Sequence, residues 1–274
     1  QIIQDRPLYN DLMAGKKTFP GGKDYFTEPV KGVYTTSLAG YTHDDEVTFQ
    51  NPANIKRTQV AWYEMAGGIS FTMTELKKAG ISVVDTNGER TTNHTQQEVI
   101  QLTNLLDDKF EDMDEGTKRS MAEIMWRDGT QDAKVFPGIL SFITTTPTTG
   151  TTFGIDRAAN AWWRHRSSQS IDSNTPSGQN LVVTLQEEVR QLRRYAKSPK
   201  HNFYAGSTFL SKYEQELRSK GNYTLEGWSS GKSMDGAQAD ATFKGMMIQY
   251  DPLLDDLGYA KRGYILDMNA IKLR

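Results

Sequence analysis

The sequence contains no cysteine. Disulfide frameworks, thiolate zinc sites and cysteine nucleophiles are therefore excluded. Long apolar runs are missing as well. The longest candidate, residues 136–143, is interrupted by Pro137 and Gly138, whereas a helix that crosses a bilayer needs about 20 apolar residues. We therefore expect no membrane partner.

A charge excess of either sign is also absent. The chain of 274 residues has 32 Lys and Arg against 34 Asp and Glu, which gives a net charge of −2 with neutral histidines. A dedicated nucleic-acid-binding protein usually carries a basic excess, so this balance disfavours that class. Apolar residues make up 36% of the chain, which excludes wholesale disorder. The mean hydropathy of −0.63 indicates an elongated fold or a surface that meets polar partners.

Complete catalytic, nucleotide-binding and metal-binding motifs are missing too. Residues 231–233 read Gly-Lys-Ser, but Glu226 stands where a phosphate-binding loop needs its first glycine. The acidic run 107–115 does not fit a helix–loop–helix calcium site, because the spacing of acids and glycine is wrong. The four histidines lack metal-ligand spacing, and no nucleophile elbow is present. We expect no catalytic residue, cofactor or metal, although a hydrolase with dispersed carboxylates stays an alternative.

The N-terminal quarter of the sequence predicts an arm and a hairpin that bury little surface within their own chain. Glycines and prolines recur through residues 1–29, so this arm is expected to lack regular structure. Residues 30–68 read as an extended loop, a polar hairpin with strands at 47–50 and 55–63 around a turn-forming tip at 51–54. Isolated hairpins are marginal in water, so this one should need a neighbouring surface. An alternating pattern predicts a further strand at 69–73.

The rest of the chain mixes helices and strands. Apolar residues at steps of three and four predict a helix over 95–127, which would be roughly 48 Å long and begins with a capping box at Thr95 and Glu98. Gly116 is a candidate for a kink or for a break between two helices. Further along, the pattern predicts helices at 181–197 and from 207 to about 221, and strands at 202–205, 242–250 and 262–266. The fold class is therefore expected to be α+β.

A Trp/Arg cluster lies in the loop-rich middle of the chain. Its members are Arg157, Trp162, Trp163 and Arg164. Aromatic rings and guanidinium groups together bind single-stranded nucleic acids by stacking and charge. The same residue types are enriched at the centres of protein–protein interfaces. Composition favours protein contact, and nucleic-acid binding remains the alternative, with the basic face of the helix at 181–197 as a second contact.

The same cluster carries a resemblance. Residues 150–157, followed by Asn160 and 162–164, resemble the major capsid proteins of tailed double-stranded DNA bacteriophages, and residues 243–252 and 264–273 look like the closing strands of that family. The resemblance implies the Hong Kong 97-type capsid fold. It implies five segments: an N-terminal arm (1–29), an extended loop that reaches over a neighbour (30–68), a peripheral domain with the spine helix (69–140), an axial domain (141–245) and strands that return to the peripheral domain (246–274).

The function that the resemblance implies is structural and not enzymatic. Copies of the chain would form hexamers and pentamers of an icosahedral shell around double-stranded DNA, which is held without sequence specificity. Scaffolding, portal and cement proteins would be further partners. Assembly would take place in the host cytoplasm, and the assembled protein would be part of the virion. A non-viral nanocompartment shell of the same fold stays an alternative. The candidate subunit-contact residues are Asn51, Pro52, Asn54, Lys56, Arg57, Arg157, Trp162, Trp163 and Arg164.

Overall fold

A computed structural model describes residues 4–18, 21, 24–49, 54–81, 95–173, 180–195, 200–219 and 241–274. The helices of these ranges are α1 (Pro7–Ala14), α2 (Met73–Lys78), α3 (Gln96–Trp126), α4 (Ile139–Phe142), α5 (Leu181–Tyr195), α6 (Ser207–Ser219) and α7 (Pro252–Asp256), with a 3-10 turn at Ala161–Trp163. The strands are β1 (Tyr25–Phe26), β2 (Pro29–Lys31), β3 (Ile55–Arg57), β4 (Val60–Ala61), β5 (Thr151–Thr152), β6 (Ile155–Asp156), β7 (His201–Ala205), β8 (Thr242–Phe243), β9 (Met246–Tyr250) and β10 (Gly263–Asp267). This mixture confirms the α+β class.

A four-stranded mixed sheet organises the body in the order β10-β7-β9-β8. Strand β7 is antiparallel to β10 and parallel to β9. Side chains alternate between the two faces of a strand, and β7 uses this alternation to separate two cores. Tyr204 packs into a core with α1, α3, α4 and α7. Phe203 and Ala205 pack into the second core with α5 and α6. The sheet is therefore covered by helices on both faces.

The predicted long helix is present and unbroken. Helix α3 has 31 residues and runs through Gly116. Its N-terminus is held by the expected capping box, in which the Thr95 hydroxyl accepts from the Glu98 amide and the Glu98 carboxylate accepts from the Thr95 amide. Its buried residues are Ala122, Met125 and Trp126, all in the last turns. The predictions of α5, β7, α6 and β10 are also confirmed, and the strand predicted at 242–250 is split by a turn at Lys244 and Gly245.

The arm prediction is wrong over residues 7–14, which form helix α1. Pro7 occupies the first turn, where its missing N–H costs nothing. Leu8 and Leu12, one turn apart, are both buried in the first core. The glycines and prolines therefore flank a helix and do not interrupt it, since Gly15 stands at its C-terminal end.

The hairpin prediction has the wrong partner strand. Residues 55–61 pair with residues 25–31: Val30 opposes Lys56 in β2 and β3, and Phe26 opposes Val60 in β1 and β4. Residues 47–49 are not a strand. Just before them Asp45 closes a turn, in which its carboxylate accepts from the Thr42 amide and hydroxyl. The tip positions Asn51 and Pro52 lie outside the described residues.

The strand predicted at 69–73 is also absent, because the end of that segment begins a helix. Thr72 caps α2: its hydroxyl accepts from the Glu75 amide, and the Glu75 carboxylate accepts from the Thr72 amide. This Thr-x-x-Glu signature is local and readable in the sequence, and it outweighs the short alternation that precedes it.

Candidate functional site

Strands β1–β4 form a narrow antiparallel ribbon that leads out to the longest exposed segment of the described chain. Between its two pairs of strands, the Thr58 amide and hydroxyl both donate to the Glu28 carbonyl, at 2.9 and 3.2 Å. The Gly32 amide donates to the Asn54 carbonyl at 2.7 Å and closes the outer end of the ribbon. Beyond it, every residue from 33 to 49 is exposed. We call residues 33–49 the projecting loop.

A tight turn between β5 and β6 holds the ribbon from one side. The Phe153 carbonyl accepts from the Gln59 amide at 2.9 Å. Phe153 and Gly154 both have positive φ, 50° and 79°, as a two-residue hairpin of the I′ type requires. Glycine meets that requirement without strain at the second position. This turn therefore presents a carbonyl to a ribbon that comes from a distant part of the sequence.

Arg274 holds the ribbon from another side. Arg274 forms an ion pair with Glu28. The same guanidinium lies 4.5 Å from the centre of the Phe26 ring, which is a cation–π arrangement. The backbone of the preceding residue is tied to the chain after α1, since the Lys17 amide donates to the Leu273 carbonyl. Arg274 and Leu273 thus help to hold the ribbon in place.

Trp162 contacts the ribbon at its outer end. A Cβ atom added to Gly32 would lie 2.8 Å from Cε2 of the indole and 3.0 Å from Cζ2 and Nε1. The indole therefore lies against bare backbone. A groove of about 280 Å³ opens beside this contact, lined by Gly32, Val33, Thr35, Asn54, Lys56, Asn160 and Trp162. The groove joins residues of the ribbon and of the 3-10 turn.

Arg157 is buried, with 5% of its surface exposed, and its guanidinium is turned inward. Nε donates to the Gly150 carbonyl at 3.3 Å, and Nη1 donates to the Thr144 hydroxyl at 3.1 Å and to Nδ1 of His165 at 3.3 Å. Because arginine only donates, Nδ1 of His165 must accept. The ring proton then sits on Nε2, which lies 2.7 Å from the Thr144 carbonyl. Arg157 thus ties together the segment 142–165.

The electrostatics of His165 agree with a neutral ring. Burial lowers the pKa of His165 from its ordinary value of 6.5, and the Arg157 charge lowers it further, against a raising contribution from the bond to Thr144. A second proton on Nδ1 would face the guanidinium. The contact between Arg157 and His165 therefore favours the uncharged imidazole.

The other two members of the cluster also bond within the chain. Trp163 donates its indole N–H to the Thr152 carbonyl at 3.1 Å. Arg164 donates to the Arg157 carbonyl at 2.6 Å and to the Ala158 carbonyl at 2.7 Å. These bonds fix the 3-10 turn on the β5–β6 hairpin. Trp162 is the middle residue of this 3-10 turn, so the same bonds hold its backbone in place.

The structure brings together only part of the predicted contact set. Asn54, Lys56 and Trp162 line one groove. Arg57 is exposed on the ribbon, whereas Arg157 points into its own chain. Their roles in subunit contact stay predictions. Sequence reasoning missed Gly32, Gln59, Phe153 and Arg274, and only the Phe153-Gly154 pair carried a local signal, as a turn former.

Metal-ion ligand groups and membrane-spanning helices are both absent from the described ranges. No group of three or more His, Asp or Glu residues in them could hold an ion. Among the described helices, none is long and apolar enough to cross a membrane.

Comparison with solved structures gives a fold neighbour. No family model matches the sequence, and no curated protein matches it significantly. A chain of the cyanophage A-1(L) capsid asymmetric unit superimposes with a TM-score of 0.60 and 12% sequence identity, and the match covers 99% of this chain and 73% of that chain. The two chains share a fold. At 12% identity the likeness concerns the fold alone.

Proposed function

We propose that this chain is a structural subunit of a phage capsid, with the Hong Kong 97-type organisation. Copies assemble into hexamers and pentamers of an icosahedral shell that encloses double-stranded DNA. The five segments 1–29, 30–68, 69–140, 141–245 and 246–274 then serve as arm, extended loop, peripheral domain, axial domain and return strands. The fold shared with a cyanophage capsid chain supports this proposal.

The observation that carries the proposal is the uncovered projecting loop. It holds large apolar side chains in a segment without helix or strand. The exposed ones are Val33, Tyr34, Leu38, Tyr41, Val47 and Phe49. Leu38 is fully exposed and Phe49 is 94% exposed. An apolar surface of this kind marks an interaction site, and identical copies supply a partner in a closed symmetric assembly.

The spine helix offers a complementary surface. None of the residues 96–121 of α3 is buried, although the helix carries an apolar stripe. Val99, Ile100 and Phe110 are about half exposed, at 51%, 59% and 50%. We propose that the projecting loop of one copy lies along this face of α3 in the next copy. Each subunit would then cover the surface that its neighbour leaves open.

Sequence-directed nucleic-acid binding by the Trp/Arg cluster has less support. Arg157 and Arg164 direct their donors to groups of their own chain. Trp163 uses its indole N–H in the same way. Stacking on single-stranded bases needs accessible aromatic faces and cations. Packaged DNA is therefore expected to be held without sequence specificity, and scaffolding, portal and cement proteins would act at other surfaces.

The proposal is tested by assembly of the purified chain. Light scattering after size exclusion and negative-stain microscopy should show closed particles of uniform diameter, and image reconstruction should show five-fold and six-fold capsomers. A stable monomer of 30.9 kDa at all concentrations and salt conditions would contradict the proposal. Steep salt dependence of nucleic-acid binding by that monomer would favour the nucleic-acid alternative.

A surface variant tests the role of the projecting loop. Leu38→Ser combined with Phe49→Ser should abolish or strongly reduce particle formation and leave the thermal midpoint of the monomer unchanged, because both side chains lie outside the cores. Thr36→Ser, in the same exposed segment, is the matched control and should assemble normally. Particles purified from the native source should contain double-stranded DNA. An enzyme cargo in place of a genome would identify a nanocompartment.

A further inference from the structure

We propose that Trp162 is a positioning residue that sets the direction in which the projecting loop leaves the body. It does so through the contact of its indole with Gly32. This inference rests on the proposed function, because the direction of the loop matters only if the loop reaches another copy. It concerns a contact within one chain and assigns Trp162 a role distinct from binding a neighbour.

The contact has room only for glycine. A Cβ at position 32 would lie 2.8 Å from Cε2 of Trp162, a separation well inside the contact distance of about 3.5–4.0 Å between carbon atoms. Gly32 follows directly after β2, and its amide donates to the Asn54 carbonyl. This bond joins the two sides of the ribbon beside the indole, at the level where the projecting loop begins.

The position of the Trp162 indole is fixed by its neighbours. Its ring packs at 5.7 Å, edge to face, on the ring of Trp163, and the Trp163 N–H is bonded to β5. The 3-10 turn is held on both sides, because the Asn160 amide donates to the Asp156 carbonyl and Arg164 donates to two further carbonyls. A clash at Gly32 is therefore relieved by movement of the ribbon.

The contact of Trp162 with Gly32 lies at the outer end of the ribbon, where a small displacement moves the projecting loop most. The other two anchors, Gln59 to Phe153 and Arg274 to Glu28, lie further back along the ribbon. Of these three contacts, that of Trp162 with Gly32 lies nearest to residue 33. A displacement at this point tilts the outer end of the ribbon about the two rear anchors and carries the whole projecting loop with it. Interfaces between rigid subunits respond to such tilts as a change of assembly geometry.

The first experiment measures the direction of the loop in the monomer. Because the chain lacks cysteine, Thr36→Cys in the loop and Ser211→Cys on the exposed face of α6 can be labelled with nitroxides without background. Electron–electron double resonance then gives their distance distribution. Gly32→Ala should shift the mean distance. Gly40→Ala is the matched control, since a Cβ there meets nothing within 4 Å, and it should leave the distribution unchanged.

A double variant separates positioning from a merely structural role. Trp162→Leu removes the indole and should broaden the distribution. In the combination of Gly32→Ala with Trp162→Leu the clash is gone, so the mean distance should return towards that of the parent. Loss of a purely structural contact would give additive losses of thermal stability and no return. Equal distributions for Gly32→Ala and Gly40→Ala would overturn the proposal.

Assembly provides the second readout. Gly32→Ala should reduce the yield of closed particles or produce aberrant ones, while Gly40→Ala assembles as the parent does. If the parent chain forms no particles, the proposed function fails, and the distance measurement still tests the contact. If the parent and Gly32→Ala give identical particles, the positioning role is refuted and the proposed function stands.

Discussion

The indole N–H of Trp126 donates to the carboxylate of Asp251 at 2.8 Å, and both residues are fully buried. The other oxygen of Asp251 accepts from the Leu253 amide at 3.0 Å and caps helix α7. One carboxylate therefore joins the end of α3 to the turn that follows β9. Burial raises the pKa of Asp251 above its ordinary value of 3.8, against the lowering effect of the Trp126 and Leu253 bonds.

The raised pKa of Asp251 predicts a specific pH dependence. The folded state takes up the proton more readily than the unfolded state, so this group stabilises the fold as pH falls through its raised pKa, and the gain is complete below 3.8. The free energy of unfolding of the parent, minus that of Asp251→Asn, should therefore increase from about pH 7 to about pH 4 in urea titrations. A difference that stays constant or decreases would contradict this assignment.

His165 predicts a dependence of the opposite sign. Its pKa is lowered below 6.5 by burial first and by Arg157 next, so its stabilising contribution is present above 6.5 and is lost as pH falls through the folded value. The thermal midpoint of the parent should fall more steeply below about pH 6 than that of His165→Gln, whose amide can keep both bonds. His43→Gln is the control, since the His43 side chain is 91% exposed, and it should follow the parent.

Glu216 predicts a stability effect that links two helices. It is buried on α6, and its carboxylate accepts from the Leu181 and Val182 amides at 3.0 and 3.2 Å, at the start of α5. Glu216→Ala leaves these amides without that acceptor and should cost about 1–3 kcal/mol of unfolding free energy. Gln215→Ala, the exposed neighbour on the same helix, should change it by less than about 0.5 kcal/mol. Chemical denaturation of both variants provides the comparison.

The sequence predicts best the elements whose signals are local. Helix α3 is readable because its apolar periodicity and its Thr95–Glu98 capping box lie within the helix itself. Helix α5 is readable for the same reason, since Leu181, Leu185 and Val189 recur at steps of four and are buried. Propensity and periodicity are short-range properties, so they identify such elements without knowledge of the rest of the fold.

The partner of strand β3 could not be predicted in this way. Residues 25–31 and 47–50 are both short segments with strand-forming residues, and the turn-forming residues 51–54 favour the segment that is nearer in the sequence. The choice is made by distant groups that bind the ribbon, namely Arg274 at Glu28 and Phe153 at Gln59. The contact of Trp162 with Gly32 is equally long-range. The candidate site was therefore recognisable in part as a Trp/Arg cluster, while its relation to the projecting loop was not.

The same substitution at two leucines separates the stability of the chain from its assembly. Leu8 of α1 is 1% exposed in the first core, whereas Leu38 is fully exposed in the projecting loop. Leu8→Ala should lower the unfolding free energy by about 2–5 kcal/mol, because it removes buried methyl groups and leaves a cavity. Leu38→Ala should change it by less than about 0.5 kcal/mol.

Assembly should respond in a different way to these two variants. Leu38→Ala should raise the protein concentration at which particles form, since it removes apolar surface that the proposed neighbour would cover. Leu8→Ala should do so only at temperatures near its lowered thermal midpoint. Denaturation curves and light scattering across a concentration series measure the two effects independently. A large loss of stability in Leu38→Ala would mean that the projecting loop packs on its own body, and this would remove the main support for a shell subunit.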